Sequence, residues 1–181
     1  NHLELKRYRD ELENMVSERT QQLEEALESL KNASLDTIQR LTRAAELKDT
    51  DTGAHIIRMS HYSAVMAQQL GLNEKDVESI LYAAPMHDIG KIGIPDRILL
   101  KPGKLDADEW DIMRQHTIMG GKILEGSKEE FVILGRVVAL THHEKWDGSG
   151  YPEGLAGKQI PQVGRIVALA DVFDALTSKR P

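Results

Sequence analysis

Cysteine is missing from all 181 residues of the chain. Its absence excludes disulfide scaffolds, zinc fingers, iron–sulfur clusters and thiol nucleophiles together. Any metal must therefore rest on nitrogen and oxygen ligands. Long apolar runs are missing as well: none approaches the roughly 20 residues that cross a bilayer, and the polar start carries no secretory apolar stretch. The expectation is a cytoplasmic protein with no membrane partner. Positive charge is in short supply, with 23 Lys and Arg against 29 Asp and Glu for a net charge of −6. That balance argues against a protein that coats nucleic acid, so no DNA partner is expected. It leaves room for a small phosphorylated ligand drawn in by bound cations. Aromatic residues are few, two Trp, four Tyr and two Phe, but a hydrophobic content of 40% suffices for a core.

Glycine and proline are absent from the first 52 residues: all 14 glycines fall at or after Gly53 and all six prolines at or after Pro85. Within this stretch Val16, Leu23 and Leu30 recur every seven residues, and Leu5, Leu12, Ala26 and Ala33 form a second seven-residue register interrupted by Arg19. Such a seam predicts a two-stranded coiled coil, and with it a homodimer. A helix of about 30 residues reaches about 45 Å, too long to fold back usefully on a small domain. Residues 1–34 therefore read as a dimerising connector and residues 35–181 as a separate, all-α domain.

In the second part Ile38, Leu41 and Ala45 continue the first helix, and a second runs from His55 to Leu70. Asn73 caps a third towards His87, with Asp76 as its partner. Further helices are expected over Asp106 to Leu124, Ser127 to about His143 and Pro161 to Leu176. Two segments resist helix, Ile89 to Gly103 and Asp147 to Gly157, each broken by several glycines and prolines. Five of the seven histidines, His55, His87, His116, His142 and His143, sit at expected helix ends beside Gly, Asp or a second His. His87-Asp88 and His142-His143 each offer two metal-binding groups on adjacent positions. Asp51 precedes His55 by one helical turn, and Asp171 lies in an otherwise apolar helix, where a carboxylate needs a partner. These side chains are enough for two or three octahedral ions completed by water and substrate oxygens. His2 and His61 read as ordinary surface histidines, and Lys91, in a glycine-containing stretch after His87-Asp88, can meet a phosphate oxygen.

The residues His87-Asp88-Ile89-Gly90-Lys91 resemble the signature of the HD superfamily of metal-dependent phosphohydrolases. The run from His142 to Pro152, with His142-His143-Glu144 followed by Asp147-Gly148-Ser149-Gly150-Tyr151-Pro152, is similar to the motif of its HD-GYP branch. The likeness extends from about Ala44 to Pro181 and takes in Asp171 to Thr177. It implies an all-helical HD bundle that hydrolyses cyclic di-GMP to pGpG and on to GMP, using two or three divalent ions, Fe or Mn. Carried over position by position, it implies metal ligands at His55, His87, Asp88, His116, His142, His143 and Asp171, with Asp88 bridging. Asp51 stands where three-metal members carry a Glu, and would hold a third ion. Lys91 matches the lysine near the scissile phosphate, and Tyr151 and Arg180 match residues lining the nucleotide pocket. The chain stops at Arg180-Pro181, where such members continue with further helices, so a domain shortened at its C-terminus is expected. The arm, with Glu18-Arg19-Thr20, resembles the connector after a receiver domain in response regulators; that implies an upstream receiver and a cognate histidine kinase. The spacing alone supports only a multinuclear N/O metal site. Another HD hydrolase of a cyclic dinucleotide or nucleotide, a weakly catalytic cyclic di-GMP module, and a diiron sensor or oxidase fit the same residues.

Overall fold

With no helix breaker before Gly53, the first helix, α1, runs without interruption over His2–Glu46. The computed structural model describes residues 2–46, 48 and 53–178, and among these it contains no strand. Its one sheet-like contact is an isolated antiparallel bridge between Asp147 and Ala156. The chain divides into two compact units, Asn1–Ile38 and Gln39–Pro181. In the first, the stripe of Leu5, Leu12, Val16, Leu23 and Leu30 is exposed, at 57–68% for each residue. No helix of the described residues is long and apolar enough to cross a membrane.

The second unit is a helical bundle. After the end of α1 come α2 (Gly53–Gln69) and α3 (Glu74–Ala83), then a 3₁₀ helix over Ala84–Gly93 and the single turn α4 (Asp96–Leu99). α5 (Ala107–Ile123), α6 (Glu130–Thr141) and α7 (Gln162–Thr177) complete it. Met59 and Ala67 of α2, Ile80 and Ala83 of α3, Val138 of α6 and Val163, Ile166, Val167 and Ala170 of α7 form the core. Each large apolar side chain so buried stabilises the fold by about 1.5–3 kcal/mol. α3 starts as expected at Asn73, whose side-chain oxygen accepts from the Asp76 N–H at 2.9 Å, while its amide nitrogen bonds the Asp76 carboxylate at 2.8 Å rather than leaving it to reach back to the backbone. A full capping box at Asp106 and Glu109 opens α5.

Two expectations change. The segment from Ile89 onward is not all loop: the 3₁₀ helix continues through Gly93, and α4 follows. Pro85, lacking an N–H, sits at the start of that helix where no donor is needed, and Gly90 lets it press against α5. A Cβ at Gly90 would overlap the His116 carbonyl and lie 2.5 Å from the Gly120 nitrogen. So His87 and Asp88 lie inside a 3₁₀ helix rather than at the end of an α-helix. α6 begins at Glu130 rather than Ser127, because Gly126 turns the chain with φ +82° and the Ser127 hydroxyl accepts from the Glu129 N–H at 3.2 Å. The Lys48 ammonium donates to the carbonyls of Ile92 (3.0 Å) and Ile94 (2.9 Å), fastening the segment after α1 to the end of the 3₁₀ helix.

Candidate metal centre

Five parts of the second unit send side chains to one place. His55 comes from α2, His87, Asp88 and Lys91 from the 3₁₀ helix, His116 from α5, His142 and His143 from the end of α6, and Asp171 from α7. Their ligand atoms form two groups, Asp88 with His116, His142 and His143, and His55 with His87 and Asp171, with all atoms of a group within 4.8 Å of one another. The groups adjoin: the His87 and His142 rings are 5.2 Å apart, and His87 Nε2 is 3.2 Å from Asp88 Oδ2. His55, His87, His116 and His142 are each 5% exposed or less.

The backbone decides which ring nitrogen faces inward. His87 Nδ1 donates to the Ala84 carbonyl (3.1 Å), His116 Nδ1 to Met113 (2.7 Å) and His142 Nδ1 to Val138 (3.1 Å). A carbonyl only accepts, so each of these Nδ1 atoms carries a hydrogen, and in a neutral ring Nε2 turns a lone pair toward the centre. His116 and His142 Nε2 lie 3.4 and 3.5 Å from Asp88 Oδ1. Acceptors thus face acceptors: His87 Nε2, Asp88 Oδ1, His116 Nε2 and His142 Nε2 are buried without a hydrogen-bond partner. A cation between them would satisfy all four at once, so the residues fit divalent ions bound by nitrogen and oxygen.

Titration divides the rings. Burial alone would lower His87, but the neighbouring Asp88 carboxylate overcomes it and raises the ring to about 9, so a divalent ion competes with a proton for its Nε2. Burial also works against the Asp88 charge, yet His87 and Lys91 hold the carboxylate well below its ordinary range. Burial lowers His116 to about 4. It lowers His143 to about 2, with the charges of His142 and His116 adding to the effect. Both rings are therefore neutral near pH 7 and ready to be ligands.

Around the centre, Lys91 Nζ pairs with Asp88 Oδ2 at 2.8 Å. The Tyr151 ring stacks on His143, with centroids 4.7 Å apart at 27°, and the Arg114 guanidinium lies 5.5 Å from its centroid. Burial raises the Tyr151 hydroxyl, so it keeps its proton. The loop that carries Tyr151 is held by Glu144, 6% exposed, whose carboxylate accepts from the N–H groups of Glu153 (2.8 Å) and Leu155 (2.9 Å). Gly150 is required there, because a Cβ would collide with the Lys145 nitrogen and the His143 carbonyl. Trp146 is 62% exposed. Asp51 and Arg180 lie outside the described residues.

Sequence reasoning gave three residues no role. Asp174, 2% exposed, accepts from His55 Nδ1 at 2.7 Å and from the Arg58 Nε at 2.6 Å. Glu144 is the third. The usable signal was in the pattern: Asp174 is a second carboxylate one turn after Asp171 on the same largely apolar helix, and Arg58 lies one turn after His55.

Known proteins resemble this chain. The chain matches the HD domain family over residues 10–181. It is 46% identical over 181 residues to the cyclic di-GMP phosphodiesterase response regulator RpfG of Xanthomonas campestris pv. campestris (strain 8004), covering 100% of this chain and 48% of that protein. It is 51% identical over 146 residues to a cyclic di-GMP phosphodiesterase of Thermotoga maritima, covering 81% of this chain and 40% of the relative. The 3′3′-cGAMP-specific phosphodiesterase 2 of Vibrio cholerae is 49% identical over 151 residues, 83% of this chain and 29% of its own length. The chain thus spans about half or less of the curated relatives it matches. Its match along almost the whole length, together with His87-Asp88 and the motif from His142 to Pro152, means that this chain belongs to the HD domain family, in the HD-GYP branch.

Proposed function

We propose that the chain is the hydrolase part of a metal-dependent cyclic di-GMP phosphodiesterase that forms pGpG and then GMP. The observation that carries this reading is the pair of adjoining His/Asp groups, with four buried ligand atoms lacking partners. The names of two relatives supply the substrate. His55, His87 and Asp171 would hold one divalent ion, and His116, His142, His143 and Asp88 another, with Asp88 placed to bridge. Asp51 would contribute to a third. Iron and manganese suit the nitrogen-rich, thiolate-free ligand set. Bound there, the ions would supply Lewis-acid stabilisation of a phosphodiester oxygen and an activated water at neutral pH.

The chain's own groups do the rest. Lys91, at the edge of the centre, gives its ammonium to a phosphate oxygen and favours the charge that builds up on it. The Tyr151 hydroxyl, kept protonated, donates a hydrogen bond, and its loop is fixed by Glu144. Because Tyr151 is already stacked on His143, base stacking falls to exposed Trp146. Arg180 would contact the nucleotide. A homodimer through the seven-residue seam of the arm, an upstream receiver domain and its histidine kinase complete the proposed cytoplasmic signalling protein.

The test is turnover of cyclic di-GMP by protein loaded anaerobically with Fe²⁺ or Mn²⁺, with metal content measured on the same sample. pGpG or GMP in proportion to bound metal supports the reading; full metal with no product, persisting when the C-terminal helices and receiver are restored, favours the weakly catalytic cyclic di-GMP module, and no bound metal overturns the site assignment. One observation favours a second substrate: the likeness to a 3′3′-cGAMP-specific enzyme is as close as that to the cyclic di-GMP enzymes. Running both dinucleotides side by side decides between them by the ratio of their kcat/KM values.

A further inference from the structure

The four histidines with bonded Nδ1 atoms are not held alike. For His87, His116 and His142 the acceptor is a neutral main-chain carbonyl one turn earlier on the same helix. For His55 it is a carboxylate on a different helix, 119 residues further along the chain: Asp174 Oδ2, at 2.7 Å. Asp174 is 2% exposed, and both its oxygens are engaged. Arg58 donates Nε to Oδ1 (2.6 Å) and Nη2 to Oδ2 (2.9 Å), and the Ser178 hydroxyl donates to Oδ1 at 3.2 Å.

This arrangement has two physical results. The guanidinium meets the buried carboxylate with two of its nitrogens, a charge-assisted fork that pairs Asp174 as an anion. A buried charge of this kind persists only with such pairing. The ionised carboxylate cannot donate, so His55 must donate through Nδ1, and its Nε2 lone pair is left 3.5 Å from Asp171 Oδ1, within the His55, His87 and Asp171 group. A histidine bonded to an anion is also a more basic ligand than one bonded to an amide carbonyl.

We infer that Asp174, held in place by the Arg58 guanidinium, is the positioning residue that sets the divalent-ion affinity of the His55–His87–Asp171 group through His55. His55 thus gives the first group a ring anchored by a side chain, whereas the anchored rings of the second group, His116 and His142, are held by main-chain carbonyls. This inference rests on the metal reading of the site.

The experiment is calorimetric titration of the full chain with Mn²⁺, for wild type, Asp174→Asn and Arg58→Gln, together with the ¹⁵N spectrum of the histidine rings before metal is added. Wild type is expected to bind at two or more positions and to show His55 as the Nδ1–H tautomer. Asp174→Asn should weaken one position by about 10- to 100-fold and leave the other unchanged. The weakened position should be the one that His116→Ala spares, and the His55 signal should move toward a mixture of tautomers. Arg58→Gln should weaken the same position by a smaller factor; because Arg58 is partly exposed, this variant serves if Asp174→Asn fails to fold. A folded variant with an unchanged isotherm and tautomer, or equal weakening of both positions, overturns the inference while leaving the metal reading intact. Wild type that binds no Mn²⁺ overturns both.

Discussion

Asp88 is the residue on which the most interactions converge. His87, Lys91, His116 and His142 all place a nitrogen within 3.5 Å of its two oxygens, so its removal leaves several buried groups facing one another. Asp88→Asn is expected to abolish metal-dependent turnover and metal retention while circular dichroism shows near-native helix. Lys91→Ala separates substrate from metal: kcat should fall about 10²–10³-fold, the loss typical of one electrostatic stabiliser, with bound metal per chain unchanged. At this scale the sequence was informative where residue type is rare. Five histidines at expected helix ends could be singled out, and all five meet in the centre. Asp174 and Glu144 could not, since a carboxylate in a helix or loop of an acidic chain is ordinarily solvated, and only burial at 2% and 6% distinguishes them.

At the scale of elements, the centre depends on how closely the 3₁₀ helix and α5 approach. Gly90→Ala would drive a methyl group into the His116 backbone. It should lower stability by about 1–3 kcal/mol and weaken Mn²⁺ binding as well, because the backbone that must yield carries a ligand; denaturant unfolding and titration on the same sample check both. α5 has its own pH dependence through its capping box. Lys101 and the Asp106 N–H hold Glu109 below its ordinary value of 4.5. A carboxyl depressed in the folded state contributes stability above its unfolded value and loses it as pH falls through the lower folded one. Wild type should therefore melt above Glu109→Gln at about pH 7, and the gap should close towards about pH 3. Helix starts with a clear acceptor, Asn73 and Asp106, were legible from sequence. The 3₁₀ helix was not: Gly90 and Gly93 read as breakers, whereas Gly90 is there to let two backbones touch.

For the whole molecule, the apolar stripe of the arm is the feature without a function inside a single chain. Val16, Leu23 and Leu30 are 57–65% exposed at the seven-residue spacing of a two-stranded seam. If two copies pair there, each leucine buried contributes about 1.5–3 kcal/mol. Leu23→Glu with Leu30→Glu should then weaken self-association by well over tenfold, read by sedimentation equilibrium, while metal content stays the same. The length of α1 was readable from the distribution of glycine and proline, because a stretch without breakers propagates as one helix.

The histidine anchors also limit how this centre can change by mutation. The tautomers of His87, His116 and His142 are fixed by peptide carbonyls, which no codon change at the acceptor can remove. His55 answers to a side chain. Of these four rings, it is the one whose electronic character a single substitution elsewhere in the chain can reset. Natural variation or laboratory engineering that alters the metal preference of this scaffold, without touching a ligand, has its most direct route through positions 174 and 58.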